Sequence, residues 1–216
     1  MARPQSADHH LKRDEILDAA AQCFAEHSYS AASMATVAAK LGASKARIYH
    51  YYDSKEALLF DLLDRYTQRL LAVIGETEAQ AQRKKLDDRA ALHALLRNFL
   101  QEYESSATRH VALLNDTQFL SADVDASSKV SQRALILQRQ RDIVSAFTRF
   151  LRRAYPERVT EANQAALTMM VFGMINWTFT WLRPGGAMSY ADFANEVIAT
   201  LEQGFSKQIE LQPNKI

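Results

Sequence analysis

The sequence predicts an all-α protein with a small N-terminal domain of three helices and a larger helical domain after residue 53. Three observations support this fold class. The 216 residues include only six glycines and four prolines, so few positions interrupt a helix. Apolar residues recur at helical spacing, whereas the alternation of a half-buried β-strand is almost absent. With 48% apolar and 24% charged residues, the chain has enough apolar side chains for a packed core.

The first predicted helix presents one apolar face, made of Ile16, Leu17, Ala20 and Phe24. Cys23 lies beside that face and is the single cysteine, which excludes an intramolecular disulfide. We expect a buried structural thiol here in preference to a redox sensor.

Residues 33–55, SMATVAAKLGASKARIYHYYDSK, predict two short helices joined by a tight turn. Ser33 suits the N-cap of the first helix, because its hydroxyl can accept the free amide near Thr36. The apolar stripe of that helix consists of Met34, Val37, Ala38 and Leu41. Gly42 follows at once and suits a C-terminal position with positive φ, so the helix ends there. Ser44 can then cap a second short helix.

In the second short helix, Ile48 and Tyr52 are four residues apart and face back toward the first helix. The pair of helices is a helix-turn-helix. Its remaining outward side chains are mostly hydrogen-bond donors: Lys45, Ala46, Arg47, Tyr49, His50 and Tyr51. A helix crowded with donors and poor in apolar anchors suits a groove lined with phosphates and base edges.

Charge agrees with this interpretation. The whole chain carries a formal net charge of only +1. The segment from residue 40 to residue 55, however, holds four cations and one anion: Lys40, Lys45, Arg47 and Lys55 against Asp53. Such a local excess favours a small anionic partner surface, while the nearly neutral remainder limits nonspecific binding. Arg3, Lys12 and Arg13 could add an N-terminal arm that reaches the DNA backbone or minor groove; a disordered tail is the alternative.

Asp53 and Glu56 have the spacing of a capping box and predict the start of a long helix. That helix continues through Leu58, Leu59, Leu62 and Leu63. Lys55 falls in its first turn, where the helix macrodipole disfavours a cation unless a phosphate is bound there. A solvated surface lysine is the alternative, but beside Tyr49 and Tyr51 we favour a phosphate contact.

Residues 13–63, RDEILDAAAQCFAEHSYSAASMATVAAKLGASKARIYHYYDSKEALLFDLL, resemble the DNA-binding domain of the tetracycline-repressor (TetR) family. The resemblance implies that Phe24, Ala38, Ile48 and Tyr52 are core residues. It also implies phosphate contacts at Tyr49, His50, Tyr51 and Lys55, base-edge contacts at Lys45, Ala46 and Arg47, and backbone contacts at Ser33 and Thr36. With Ser44, these residues are our predicted DNA-binding set.

Three positions depart from the family pattern. Ser28 stands where the family usually has glycine, so it must adopt a strained positive φ or turn differently. Ala32 replaces a usual threonine, which moves the capping role onto Ser33. Ala46 replaces a common glycine and adds a methyl group where the backbone would approach a base.

Beyond residue 53 we predict six helices, at about 54–78, 90–104, 108–119, 129–154, 160–182 and 189–208, with a loop at 120–128. Ser189 and Asp192 form a cap pair for the last helix.

Residues 165–182 carry no charge over 18 residues, the lower limit for a membrane span. Polar residues such as Asn176 argue against a span, and a helix that is apolar on all sides is instead buried on all sides. We expect a homodimer through the last two helices, with a stripe of Phe193, Val197, Leu201 and Phe205 on the final helix.

The aromatic and methionine residues of the C-terminal domain suggest a ligand, although an ordinary core explains most of them. The predicted ligand-binding residues are Phe99, Tyr103, Phe147, Met170, Asn176, Trp177 and Trp181. The segment FGMINWTFTWLRPGG is similar to the C-terminal helix of TetR-type regulators that sense acyl-CoA thioesters. That similarity implies a long apolar pocket with a basic mouth, for which Arg97, Arg149, Arg152 and Arg183 are available.

We therefore predict a DNA-binding domain in residues 1–53 and a regulatory and dimerisation domain in residues 54–216. The leading hypothesis is a dimeric transcriptional repressor that binds a palindromic operator and is released by a small apolar effector such as an acyl-CoA. A constitutive regulator without effector and a multidrug-type sensor of aromatic cations are the alternatives.

An enzyme is not expected, because the chain lacks Glu-x-x-His pairs, a glycine-rich phosphate loop and a nucleophile motif. We expect no cofactor and no metal. The polar N-terminus lacks the apolar run of a signal peptide, which predicts a cytoplasmic protein.

Overall fold

The structure, a computed structural model, describes residues 5–124, 130–183 and 185–205. All regular elements in these ranges are helices, which confirms the predicted all-α class. The α-helices are α1 (Gln5–Ala31), α2 (Met34–Lys40), α3 (Lys45–Tyr49), α4 (Lys55–Lys84), α5 (Asp88–Ser105), α6 (Ala107–Asp116), α7 (Gln132–Ala154), α8 (Gln164–Ile175) and α9 (Tyr190–Phe205). Two 3₁₀ turns cover Thr117–Phe119 and Thr178–Thr180.

The chain divides into two compact units that do not follow the chain order. The first comprises Met1–Arg69 and Ser106–Gln140, and the second comprises Leu70–Ser105 and Arg141–Ile216. In the first unit, α6 packs against α1 and α2 packs against both α1 and α3. In the second unit, α5 packs against α9. The functional division expected at residue 53 remains a prediction.

The turn after the first helix is strained at the position that the sequence singled out. Ser28 has φ 66° and ψ 156°, which breaks α1 before a final helical turn. This backbone region is open almost only to glycine, so a serine there costs roughly 1–3 kcal/mol. Gly42, in contrast, has φ +65° at the end of α2, as predicted, where glycine bears no such penalty.

Helix α4 extends six residues past its predicted end at residue 78. The polar stretch QAQRKK consists of good helix formers, so its polarity does not break the helix. The helix ends instead in a Schellman-type turn with Lys85 at φ 51°. The amide of Leu86 donates to the carbonyl of Ala81 at 3.0 Å, and that of Lys85 donates to Gln82 at 3.2 Å.

The predicted last two helices both exist but differ in length and exposure from the expectation. Helix α8 ends at Ile175, and the chain tightens into the 3₁₀ turn Thr178–Thr180 before residue 182. The cap of α9 is confirmed, because the Asp192 amide donates to Ser189 Oγ at 3.0 Å while the Ser189 amide donates to Asp192 Oδ2 at 3.2 Å. No helix in the described ranges is long and apolar enough to cross a bilayer.

Helix α8 has one buried and one exposed apolar face. The buried face consists of Leu167, Thr168, Val171, Phe172 and Ile175. Met169 and Met170 lie on the other face and are 49% and 59% exposed, and Trp177 just beyond is 54% exposed. The stripe predicted on α9 faces inward instead: Val197 and Leu201 are buried within the protomer. The side chain of Phe205 lies outside the described residues. An apolar stripe indicates burial, but its period does not say against which partner.

Candidate nucleic-acid interface

The two short helices of the helix-turn-helix are each closed by a serine cap, as predicted. Ser33 Oγ accepts the Thr36 amide at 3.1 Å, and its hydroxyl also contacts Thr36 Oγ1 at 2.8 Å. Ser44 Oγ accepts the Arg47 amide at 3.2 Å. The residues that pack the pair together are buried: Met34, Val37, Ala38, Ile48 and Tyr52, with Phe24 of α1. Helix α3 is therefore held by one of its faces, and the opposite face is open.

The open face of α3 carries the donors that the sequence places there. Lys45, Ala46, Arg47, Tyr49 and His50 are exposed, and Tyr51 is half-exposed. Lys45 Nζ lies 5.5 Å from the centre of the Tyr49 ring, and the rings of His50 and Tyr51 meet edge to face at 5.3 Å. Arg47 makes no side-chain contact of this kind with a described residue, so its guanidinium is available to a partner.

A polar network fixes the end of α3 against the helices behind it. The Tyr52 hydroxyl donates to Asp61 Oδ2 at 2.6 Å, and Arg13 Nη2 donates to the same oxygen at 3.1 Å. Arg65 Nε donates to Asp61 Oδ1 at 3.0 Å. Burial alone would raise the pKa of Asp61, but the hydrogen bonds from Tyr52 and Arg65 and the two guanidinium charges outweigh burial and hold that pKa below its usual range.

The sequence did not predict this network, which also settles the position of Arg13. The sequence left Arg13 either in an N-terminal arm or in a disordered tail, yet it lies inside α1 and bonds to α4, while Arg3 lies outside the described residues. The partners are 48 residues apart in the chain, so no local spacing reveals them.

Two of the four cations counted in the sequence are engaged within the protein. Lys40 Nζ bonds to both Glu26 carboxylate oxygens, at 2.7 and 2.6 Å. Lys55 Nζ donates to the carbonyls of Tyr29 at 2.7 Å and Ala32 at 2.8 Å, and it lies 4.2 Å from the centre of the Tyr29 ring. The exposed positive charge of the segment is therefore that of Lys45 and Arg47. The ammonium of Lys55 is thus bonded to carbonyls around the end of α1, and its predicted phosphate contact stays a prediction.

The cap of α4 also differs from the predicted capping box. Ser54, not Asp53, is the cap residue, because Ser54 Oγ accepts the Ala57 amide at 3.0 Å. The Glu56 carboxylate instead accepts the Ser121 amide at 2.6 Å. A second contact holds the segment after α6 against the end of α1, since the Phe119 ring stacks on Tyr29 with centroids 4.9 Å apart. The start of α4 is thus tied both to the end of α1 and to the segment after α6.

Near this junction lies a buried acid. Asp116, at the end of α6, is 5% exposed, and burial raises its pKa to about 6 although the charge of Lys55 acts in the opposite direction. In α1, Cys23 is buried and burial raises the pKa of its thiol, which suits the predicted structural role.

The seven predicted ligand residues differ in their exposure to solvent. Phe99, Tyr103 and Phe147 are buried, with the Phe99 ring edge-on to Phe147 at 4.6 Å and to Tyr103 at 5.8 Å. Asn176 is half-buried and accepts a hydrogen bond from the Tyr103 hydroxyl at 3.0 Å. The other three are exposed: Met170, Trp177 and Trp181. The two groups occupy different environments, so their joint role in binding a ligand stays a prediction.

A short capped helix that packs on a second helix through one face and exposes hydrogen-bond donors on the other defines a helix-turn-helix protein. Residues 16–62 match the family described as bacterial regulatory proteins, tetR family. Residues 85–205, more than half of the chain, match the tetracyclin repressor-like C-terminal domain. The chain therefore belongs to the tetR family, as the sequence resemblance indicated.

Individual relatives agree with this assignment. Over 72 residues the chain is 38% identical to the HTH-type transcriptional repressor Rv1474c of Mycobacterium tuberculosis, a match that covers 32% of this chain and 38% of that protein. A TetR-family transcriptional regulator from Bordetella parapertussis has 29% sequence identity and a TM-score of 0.80, over 92% of this chain and 98% of that one. The structure of AibR in complex with isovaleryl coenzyme A and operator DNA shares the fold, with 19% identity and a TM-score of 0.71 over 87% of this chain and 96% of that one.

Proposed function

We propose that this protein is a dimeric transcriptional repressor that binds a palindromic operator and releases it when a small apolar effector binds. The observation that carries the proposal is the face of α3, where five neighbouring residues, Lys45–Tyr49, bury only Ile48. A helix with so little of its surface packed against the protein is suited to enter a groove of DNA. DNA lies in the cytoplasm of a bacterium, where we expect the protein to act.

On DNA, we assign two kinds of contact to the helix-turn-helix. Lys45, Ala46 and Arg47 lie at base edges. Lys45 and Arg47 are long donor side chains at the start of the helix, which can form bidentate bonds to guanine. Phosphate contacts come from the hydroxyl and imidazole donors that flank this set: Ser33, Thr36, Ser44, Tyr49, His50 and Tyr51. The side chain of Lys55 supports the frame instead, unless DNA draws it away from the carbonyls of Tyr29 and Ala32.

A dimer is needed because one reading helix of five residues makes few contacts. The exposed apolar face of α8 supports a contact between copies, since Met170 and Trp177 are each more than half exposed. Beside it, α8 and α9 leave an apolar groove of about 390 Å³ lined by Met170, Gly173, Met174, Leu201 and Gly204 among others. A two-fold dimer through these helices would read two half-sites roughly 34–36 Å apart.

The effector class is supported by the family and by the fold. AibR, which resembles this chain in fold alone, holds both isovaleryl coenzyme A and operator DNA, so one fold of this kind accommodates both. We infer that ligand changes the separation of the two reading helices. By linkage, ligand and DNA then weaken each other by the same factor.

The proposal is tested by selecting duplexes that bind the purified protein from a random library and measuring their affinity by fluorescence anisotropy. We expect an inverted repeat. Arg47→Ala should relax the preference at one position of each half-site and cost about 1–3 kcal/mol per half-site. Lys84→Ala, an exposed cation at the far end of α4, is the matched control and should leave affinity unchanged. Selection of unrelated sequences, or equal effects of both substitutions, would contradict the proposal.

A further inference from the structure

A surface groove between α7 and α8 has a composition that neither the fold nor the DNA interface explains. It has a volume of about 570 Å³, within the range of small-molecule sites. Its lining consists of Val144, Ser145, Thr148, Arg149, Arg152, Gln164, Ala165 and Met169. Three of these eight are apolar and two are arginines, and none of the eight is an acid.

Neither arginine is bonded to the carboxylate of a described residue. Arg149 and Arg152 are three residues apart on α7, so their side chains lie on the same side of the helix. Arg152 Nη1 has a long 3.4 Å hydrogen bond to Gln164 Oε1, and Arg149 has no bond or ion pair with any described residue. Their neighbour Arg153, in contrast, is paired with Glu78 at 3.0 Å and Asp88 at 3.4 Å. The groove therefore holds two uncompensated guanidinium groups.

The apolar part of the groove is contributed by Val144, Ala165 and Met169. Met169 is 49% exposed, an unusual exposure for a long apolar side chain that has room to pack. Two hydroxyl groups complete the lining; the Thr148 hydroxyl is bonded to Thr168 Oγ1 at 3.0 Å, while Ser145 is exposed. Charge and apolar surface thus lie side by side in one groove.

We propose that this groove binds an amphipathic anion, an acyl chain with a phosphorylated head group such as a coenzyme A thioester. Two guanidinium groups without an acid fit a phosphate, which carries nearly two charges and three acceptor oxygens, better than a single carboxylate. The acyl chain lies along Met169 and Val144. The proposal rests on the proposed ligand-responsive function and gives its effector a site away from the aromatic residues expected from the sequence.

A second copy of the chain is a poorer occupant. Isologous contacts place the same patch of both protomers near the two-fold axis. A patch with two cations and no anion would then meet like charge, which destabilises the contact.

The test is isothermal titration calorimetry on the full-length protein with octanoyl-coenzyme A, coenzyme A and octanoate. We expect octanoyl-coenzyme A to bind most tightly and octanoate at least about 10-fold more weakly, because octanoate lacks the phosphates. Each of Arg149→Gln and Arg152→Gln should weaken octanoyl-coenzyme A about 10-fold, and the double variant about 100-fold. Both residues are exposed, so these variants should fold normally, as thermal unfolding would verify.

Two controls separate the parts of the site. Arg83→Gln removes an exposed arginine at the end of α4 that does not line the groove and should leave binding unchanged. Met169→Gln should weaken octanoyl-coenzyme A but not coenzyme A, since it alters the part that holds the chain.

Several results would overturn the proposal. Equal affinity of the double variant and the wild type would place the ligand elsewhere, and tighter binding of octanoate would make the head group irrelevant. A change in sedimentation of the double variant without ligand would assign the groove to a contact between copies. Weaker operator binding of the ligand-free double variant would assign the arginines to DNA. The proposed function is judged separately, because it fails if the ligand-free wild type binds no operator.

Discussion

Lys55 offers the sharpest distinction between a DNA contact and a structural contact. Its ammonium lies 2.7 Å from the Tyr29 carbonyl and 2.8 Å from the Ala32 carbonyl. A hydrogen bond from a charged donor contributes about 1.5–3 kcal/mol, which we halve for each bond because Lys55 is half-exposed. Lys55→Ala should therefore lower the free energy of unfolding by about 2 kcal/mol. For a chain of this length, that is a fall in Tm of about 4–8 °C.

The salt dependence of operator binding supplies the second measurement. A lost phosphate contact lowers the slope of log K against log salt by about 0.9, or about 1.8 for a dimer. Lys45→Ala removes a cation that we place at base edges between the phosphate rows, so we expect a comparable loss of slope, together with an unchanged Tm because the side chain is exposed. For Lys55→Ala we expect the fall in Tm with an unchanged slope. An unchanged Tm and a shallower slope for Lys55→Ala would refute the structural role and restore the phosphate contact. Lys55→Met, which keeps the alkyl stem, should reproduce the alanine result if the charge is what matters.

Three further predictions concern stability and assembly. Ser28→Gly should raise the free energy of unfolding by about 1 kcal/mol in urea titrations, since glycine relieves the strain at φ 66°. The control Ser30→Gly, in the helical turn beside it, should lower the free energy of unfolding by about 0.5–1 kcal/mol. A Ser28→Gly variant less stable than the wild type would show that the serine is not strained. Burial raises the pKa of Asp116 to about 6, so its neutral form favours the fold: this contribution is complete below about pH 4 and is lost as pH rises through 6. Asp116→Asn should then stabilise the protein at pH 7.5 by at most about 3 kcal/mol and gain nothing at pH 4, and an equal effect at both pH values would exclude ionisation as the cause. Met170→Glu should shift the sedimentation coefficient toward that of a monomer while Gln203→Glu on α9 should not; a persistent dimer would move the interface away from α8.

The parts of the fold that were predicted correctly depend on neighbouring residues. Ser33, Gly42 and Ser44 act on amides and carbonyls within a few positions, so their roles are visible in the sequence. The parts that were missed depend on distant partners. Arg13 looks like a solvated cation until Asp61, 48 residues later, is placed beside it.

The period of an apolar stripe likewise indicates that the stripe is buried, but not which surface covers it. Val197 and Leu201 form a clear stripe on α9, but the stripe is satisfied inside the protomer. The free apolar face belongs to α8, whose uniform hydrophobicity gives no period from which an inner and an outer face could be told apart. For a related reason the sequence names Arg149 and Arg152 only as two of four arginines available for a basic mouth. Nothing in it distinguishes this pair until Ala165 and Met169 are brought beside them.

The separation between frame and reading face in the helix-turn-helix has an evolutionary consequence. Ile48 and Tyr52 hold α3 in place, whereas Lys45, Ala46 and Arg47 are exposed and bury little of their surface. Substitutions at exposed positions usually change stability by less than about 0.5 kcal/mol. With these three residues at base edges, as we propose, duplicated copies of such a gene can acquire new operators through three codons while the fold stays intact. Divergence of regulatory targets would be limited by the matching change in the promoter rather than by the stability of the protein.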